Sequence, residues 1–82
     1  ENSLQEIANE LDVDNKEEQL QQILAAIEEL PLEKNQLIEL RYFEELSFKE
    51  IGSIFAISEA TAKMRIYRII ETIKQSLTKG KN

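Results

Sequence analysis

The sequence contains no cysteine, no histidine and no tryptophan, and it has one proline and two glycines among 82 residues. Without cysteine or histidine, the chain lacks disulfides, thiolate or imidazole metal ligands, a cysteine nucleophile and a Ser-His-Asp triad. With so little proline and glycine available for tight turns, an all-β fold is not expected. No apolar run approaches the roughly 20 residues of a membrane span, and the N-terminus has no signal-like pattern. We therefore expect a cytoplasmic protein without a membrane partner.

The residue patterns of an enzyme active site are also missing. Carboxylates occur as adjacent pairs, at Glu28 with Glu29 and at Glu44 with Glu45, and adjacent side chains point to different sides of a helix. They therefore cannot converge on one substrate. No glycine-rich phosphate loop and no metal-ligand spacing is present. We expect a single small globular domain that is not an enzyme, with no catalytic residue, no cofactor and no metal.

The net charge of −6 conceals an uneven distribution along the chain. Residues 1–57 carry 14 acidic and 4 basic side chains, a net charge of −10, whereas residues 58–82 carry 2 acidic and 6 basic ones, a net charge of +4. A basic C-terminal segment after an acidic one is typical of an element that faces nucleic acid. Cations that complement the dipole of a C-terminal helix would give the same pattern. Charge alone leaves both interpretations open.

Hydrophobic periodicity is helical along the whole chain, so the predicted fold class is all-α, a domain of about four or five helices without a wing. Ser3 and Glu6 form a capping-box pattern at the start of a short helix. Asp14 is placed to cap a second helix. Pro31 ends that helix and suits the first turn of a third, which we expect to run to about Phe43. The apolar positions behind these predictions are Leu4, Ile7, Ala8, Leu11, Leu20, Ile23, Leu24, Ile27, Leu30, Leu37, Ile38 and Leu40.

Two start signals close together predict a helix-turn-helix unit at the C-terminal end. Ser47 and Glu50 form a capping box, and Ser58 is a second N-cap at the start of a long helix over residues 59–77. Two helices joined by so few residues must cross steeply. Gly52, which costs ~1 kcal/mol inside a helix, is explained if the second helix passes close to it. The apolar residues at helical spacing in the first helix of the unit are Phe48, Ile51, Ile54 and Phe55.

The last helix has two different faces. Its apolar stripe consists of Ala62, Ile66, Ile69, Ile70, Ile73 and Leu77. The opposite face begins with Ala60, Thr61 and Met64, surrounded by lysines and arginines. Small residues allow close approach to a DNA major groove, where Thr61 and Met64 can meet base edges and thymine methyls. A solvated face carrying one stray methionine is the alternative.

The stretch from residue 30 to about residue 77 resembles region 4 of bacterial RNA polymerase sigma factors, most closely the extracytoplasmic-function type. Ala56 departs from that family, which usually has glycine there, and a left-handed alanine costs ~1 kcal/mol. We expect a short helix and linker over residues 1–14, the region 4-like domain over 15–79 and a frayed tail over 80–82. The matching pieces are Leu30-Pro31, residues 40–43, residues 46–51, residues 57–63, and Arg65 with Arg68.

The resemblance implies recognition of the promoter −35 element and docking on the flap of the polymerase β subunit. The DNA-facing residues that it implies are Ser58, Glu59, Ala60, Thr61, Lys63, Met64, Arg65 and Arg68, with Ser47, Phe48 and Lys49 near the phosphate backbone. The implied polymerase-facing residues are Ile27, Leu30, Leu37, Ile38, Arg41 and Tyr42. An anti-sigma factor is a further implied partner. Because residue 1 is Glu, we expect a longer protein, whose −10-recognising domain precedes it.

Two other functions remain open from the sequence. A transcription regulator of the LuxR type uses a similar start to its recognition helix, although the segment Arg65–Arg68 and the isoleucines after it fit sigma factors better. A protein-interaction module, in which the acidic body binds an anti-sigma factor, is the third interpretation. It predicts an exposed apolar patch on the early helices.

Overall fold

The computed structural model describes residues 3–11 and 17–80, and within these ranges the chain folds into five α-helices without a strand. The all-α prediction is therefore confirmed. A π-helical turn, Glu39–Phe43, continues the third helix. In chain order the helices are α1 (Ser3–Leu11), α2 (Glu17–Glu28), α3 (Leu32–Ile38), α4 (Phe48–Phe55) and α5 (Glu59–Gly80).

The N-terminal helix α1 begins at Ser3, as the capping pattern predicts. Its apolar residues Ile7, Ala8 and Leu11 are fully buried, and the helix packs against α2, α5 and the π-helical turn. These contacts make α1 part of the same core as the helices that follow it. The predicted cap at Asp14 lies outside the described residues.

Pro31 separates α2 from α3, but it lies one position earlier than predicted. It is the residue before the first turn of α3, with extended backbone angles (φ −55°, ψ 154°), and its carbonyl accepts the N–H of Asn35 at 2.9 Å. The Asn35 side-chain amide donates to the carbonyl of Ile27 at 2.9 Å. This bond joins the end of α2 to α3 and fixes the corner between them.

The third helix reaches Phe43 as predicted, but its last turn is wider than an α-helical turn. Glu44 N–H donates to the carbonyl of Glu39 at 2.9 Å, and Leu46 N–H donates to the carbonyl of Leu40 at 3.0 Å. Glu45 then takes a left-handed conformation, with φ 61°. The chain turns sharply there toward α4.

The core is a single cluster of apolar side chains around α5, which packs against α1, α2, α3 and α4. The predicted stripe of α5 is confirmed: Ala62, Ile66, Ile69, Ile70 and Ile73 are buried, and Leu77 is half-buried. Among the stripe positions whose burial the structure describes, Leu24 and Ile54 are exposed instead, the latter by 57%. Within the described residues, no helix combines the length and hydropathy needed to cross a membrane.

Candidate nucleic-acid interface

The turn between α4 and α5 consists of residues 56–58 and begins with a left-handed alanine. Ala56 has φ 59° and ψ 43°. The N–H of Ile57 donates to the carbonyl of Gly52 at 2.9 Å, and the N–H of Ala56 approaches the carbonyl of Ser53 at 3.4 Å. This pair of bonds is a Schellman motif, which satisfies the last carbonyls of a helix and normally uses glycine at the left-handed position. The predicted short turn is confirmed, with alanine in the strained position.

Gly52 lies directly beneath this turn. A Cβ atom there would be 2.6 Å from the carbonyl oxygen of Ile57 and 3.3 Å from backbone atoms of Ser58. Any side chain would push the turn away from α4, so the close approach expected from the sequence is confirmed. The group that approaches is the backbone leading into α5.

Both helices of the unit begin with a side-chain cap. Ser47 Oγ accepts the N–H of Glu50 at 3.0 Å, and the Glu50 carboxylate accepts the N–H of Ser47 at 2.8 Å, so the predicted capping box is confirmed. Ser58 Oγ accepts the N–H of Thr61 at 3.0 Å and donates to Thr61 Oγ1 at 2.8 Å. Both serine hydroxyls are thus engaged in holding their helices.

The N-terminal half of α5 presents an exposed and shallow depression of about 430 Å³. Met64 occupies the middle of this stretch of helix and is 46% exposed. Small, aromatic and cationic side chains surround it together with one carboxylate, that of Glu71, so two cations and an apolar centre face solvent side by side. The lining residues are Ala60, Lys63, Met64, Tyr67, Arg68 and Glu71.

Four side chains form what we call the stacked row, Arg41–Phe48–Tyr67–Lys63. The guanidinium carbon of Arg41 lies 4.1 Å from the centre of the Phe48 ring. The Phe48 and Tyr67 rings meet edge to face, with centres 6.0 Å apart and an angle of 73°. The Lys63 ammonium lies 5.8 Å from the centre of the Tyr67 ring. Only the last pair, four residues apart on one helix, has a spacing that the sequence reveals.

Arg65 lies on the flank of α5 that faces α3. Its guanidinium is 3.7 Å from the carboxylate of Glu33, and both side chains are exposed. Arg68 lies between this flank and the depression, because it lines both the depression and a groove of about 400 Å³ beside α3. The two arginines therefore extend the cationic surface from the exposed face toward α3.

Comparison with known proteins assigns this arrangement to a family. The family model for region 4 of sigma-70 matches residues 20–79. The chain belongs to the sigma-70 region 4 family. This family comprises DNA-binding transcription initiation factors rather than enzymes, and the match favours a sigma factor over a regulator of the LuxR type.

A curated relative supports the same assignment and the predicted likeness to the extracytoplasmic-function type. The chain is similar to RNA polymerase sigma factor SigV of Bacillus subtilis (strain 168), with 39% identity over 54 residues. The aligned part covers 66% of this chain and 32% of SigV, so the chain corresponds to about a third of that protein. No solved structure matches the chain.

Within this sigma-70 region 4 domain, the predicted DNA-facing residues do not all share one face. Ala60, Lys63, Met64 and Arg68 line the depression, whereas Arg65 points to its flank. Ser58, the N-cap of α5, and Glu59, its first residue, are exposed, and Thr61 is half-buried. Ser47, Phe48 and Lys49 lie together at the start of α4, where Phe48 is half-buried under Tyr67.

The predicted polymerase-facing residues of the domain are mostly internal. Ile27, Leu37, Ile38 and Tyr42 belong to the buried core, and Leu30 and Arg41 are half-buried. Polymerase contact by these residues stays a prediction, and it needs an opening of the core for the four buried side chains. The exposed apolar side chains of the early helices are others, namely Leu24, Leu32 and Phe43.

An acidic hollow lies on the side of the domain where α1 meets the π-helical turn. Glu6, Glu10 and Glu45 line it together with Arg41 and Tyr42. Burial, reinforced by the negative charge of Glu10, raises the pKa of Tyr42 to about 12. Despite these carboxylates, no set of three or more metal-ligating side chains converges within residues 3–11 and 17–80.

Proposed function

We propose that this chain is domain 4 of a sigma factor, which recognises the promoter −35 element through α5 and docks on the β flap of RNA polymerase. The observation that supports it most is the exposed face of α5, where Met64 and Ala60 are flanked by Lys63 and Arg68 directly after a tight turn. Small residues at the start of a recognition helix let the backbone approach base edges, and flanking cations bind phosphates.

Each residue of this face has a distinct role in the proposed complex. Met64 contacts thymine methyls, because its exposed thioether side chain is the apolar centre of the depression. Lys63 and Arg68 bind phosphates on either side of it. Thr61 donates its hydroxyl proton to a DNA acceptor, since its oxygen already accepts from Ser58 and no internal acceptor for that proton occurs within the described part of the chain.

The acidic body accounts for the proposed dependence on polymerase. The net charge of −6 opposes DNA binding by the chain as a whole, and 6 of its 10 cations lie in residues 58–82, so its own affinity is low. Docking on polymerase holds α5 near the promoter and raises its effective concentration there. The exposed apolar side chains Leu24, Leu32 and Phe43 are available for that docking. An anti-sigma factor as a further partner stays a prediction.

A selection experiment tests the DNA-binding half of the proposal. The 82-residue chain is incubated at low salt with a pool of random duplexes, and bound sequences are recovered and sequenced. We expect one enriched short motif for the wild-type chain and its loss in Arg68→Ala, while circular dichroism shows the same helicity. Lys34→Ala, which removes an exposed cation from α3, serves as the control and keeps the motif. Recovery of unselected sequences by the wild-type chain would contradict the proposal.

A titration tests the polymerase-docking half. The isotope-labelled chain is titrated with the isolated β-flap tip, and amide shifts are followed by NMR. We expect shifts confined to the early helices and the π-helical turn, and a weaker response in Leu32→Ser, whose side chain is 73% exposed and contributes little to the core. Shifts restricted to α5, or none at all in a folded sample, would exclude docking through this surface.

A further inference from the structure

The geometry points to a positioning role for Arg41 in DNA binding: acting through the stacked row, it holds Tyr67 and Lys63 in place on the DNA-facing side of α5. This inference rests on the proposed function and gives Arg41 a role that acts through the side chains of Phe48 and Tyr67. It gives Arg41 a role different from the polymerase contact that the sequence resemblance implies.

The first step of the argument is that Arg41 is held at two points. Its guanidinium covers the Phe48 ring at 4.1 Å, and its Nη1 atom donates to the carbonyl of Leu46 at 3.0 Å. Both partners flank Ser47, the cap of α4. Because Arg41 as a residue is half-buried, this contact is screened by solvent less than a fully exposed pair would be. Arg41 thereby joins the π-helical turn to the start of α4 and fixes the Phe48 ring.

The second step concerns the angle between α4 and α5. Phe48 is the first residue of α4, and Tyr67 lies in the third turn of α5, so both are far from the turn at residues 56–58. Their edge-to-face contact closes the open end of the helix pair, whereas the Gly52 contact closes the other end. Together with the core packing of Ile51, contacts at both ends of the pair restrict the angle between α4 and α5.

The third step brings the row to the DNA-facing surface. Tyr67 is 44% exposed, and its ring carries the Lys63 ammonium at 5.8 Å. An exposed lysine ordinarily samples many conformations and loses that freedom when it binds a phosphate. A lysine that already rests on a fixed ring loses less. The row therefore prepares Lys63 for a phosphate contact at the edge of the depression.

Fluorescence anisotropy with a short labelled DNA duplex tests this inference on the 82-residue chain at low salt. We expect Arg41→Ala and Tyr67→Leu each to lower affinity by about two- to fivefold, the range of an exposed cation–π contact. Tyr67→Phe keeps the ring and should keep the wild-type affinity. In the Tyr67→Leu background, Arg41→Ala should have no further effect, because the row is already broken.

The double variant Arg41→Ala with Tyr67→Leu separates an effect through the stacked row from an effect of the Arg41 charge itself. If Arg41 acts only through its own charge, Arg41→Ala lowers DNA affinity equally in the wild-type and the Tyr67→Leu backgrounds, and the inference is wrong. It is also wrong if Tyr67→Phe binds as weakly as Tyr67→Leu, since the hydroxyl would then be the group that matters. Should Arg41→Ala fail to fold, Phe48→Leu compared with Phe48→Tyr breaks the same row. A wild-type chain that binds no duplex would instead overturn the proposed function.

Discussion

Gly52, inside α4, and Ala56, just after the end of α4, meet opposite demands of the backbone. Gly52 has ordinary helical angles but no room for a side chain, because the carbonyl oxygen of Ile57 occupies the place of a Cβ atom. Ala56 has room for its methyl group but takes left-handed angles that favour glycine. The turn into α5 therefore needs the space that Gly52 leaves, and it tolerates backbone strain at Ala56.

Gly52→Ala should destabilise the fold. Alanine improves helix propensity by ~1 kcal/mol, but its Cβ forces the turn away from α4, at a cost typical of overpacking, ~1–3 kcal/mol. The net loss should appear as a lower urea midpoint with an unchanged slope. Ser53→Ala, at the neighbouring exposed position, is the matched control and should leave the midpoint nearly unchanged. Equal midpoints for the two variants would show that the turn moves without cost.

Ala56→Gly should have the opposite sign. Glycine relieves the strain of the left-handed conformation. Part of this gain is offset because glycine gives the unfolded chain more conformational entropy. We expect a net increase of about 0.5–1 kcal/mol in the free energy of unfolding. Ala25→Gly, at an exposed interior position of α2, should lose ~1 kcal/mol. Thermal unfolding of the two variants beside the wild-type chain measures both. A loss at both positions would mean that the Ala56 methyl group makes compensating contacts.

At the scale of the helices, boundaries follow from local signals in the sequence. Ser47, Glu50 and Ser58 determine where α4 and α5 begin, since a side-chain cap acts on amides within its own first turn. The stripe of α5 likewise identifies its buried face. For these elements the prediction needs no knowledge of the rest of the fold.

Other features depend on contacts between distant residues and were not predicted. The apolar spacing of residues 39–43 is compatible with an α-helical turn as well as with the π-helical turn, and only the hydrogen bonds of the backbone distinguish the two. The contacts between Arg41 and Phe48 and between Phe48 and Tyr67 join different elements, so no spacing in the sequence reveals them. The burial of Tyr42, which is 6% exposed, is likewise set by packing between elements, and its contact with polymerase stays a prediction.

The contact between α1 and the π-helical turn should weaken in alkali. The pKa of Tyr42 rises from 10.0 to about 12 in the folded chain. The unfolded chain therefore loses this proton at a lower pH than the folded chain. The resulting stability is complete below pH 10 and is lost as the pH rises toward 12. Phenylalanine has no such proton, so Tyr42→Phe should reduce the alkaline loss of stability.

Urea unfolding over a series of alkaline pH values measures this effect. The wild-type free energy of unfolding should fall more steeply between pH 10 and 12 than that of Tyr42→Phe. Ser53→Ala, at an exposed position of α4 without a titratable side chain, is the control and should follow the wild-type curve. Parallel curves for all three proteins would mean that Tyr42 is solvated as well in the folded as in the unfolded chain.

At the scale of the whole molecule, charge is segregated so that the acidic body and the basic helix have opposite effects on DNA. Residues 58–82 carry 6 of the 10 cations. Of these, Lys63, Arg65 and Arg68 lie in the half of α5 that follows the turn. Few phosphates can be contacted at once, and the remaining surface repels the duplex. Tight binding to a promoter at physiological salt would then depend on the complex in which the domain is held, whereas the isolated chain binds measurably only at low salt.

The salt dependence of DNA binding should reflect this small number of contacts. With about three or four phosphates neutralised, a plot of log affinity against log salt should have a slope of about −3 to −4. Arg68→Ala should make the slope shallower by about 0.9. Anisotropy titrations over a range of potassium chloride concentrations provide both values. A flat plot would show that the duplex is held without phosphate contacts.

The Gly52–Ala56 pair also bears on how related domains are detected. Glycine is the usual residue at a left-handed helix end. A helix-turn-helix sequence pattern that requires glycine in the turn would miss this chain, because alanine stands at position 56. The steric requirement lies one turn earlier, at Gly52, where no other side chain fits beside the backbone of Ile57 and Ser58. A diagnostic pattern built on a glycine within the first helix and a serine cap on the second would recover divergent members that a bend-centred pattern overlooks.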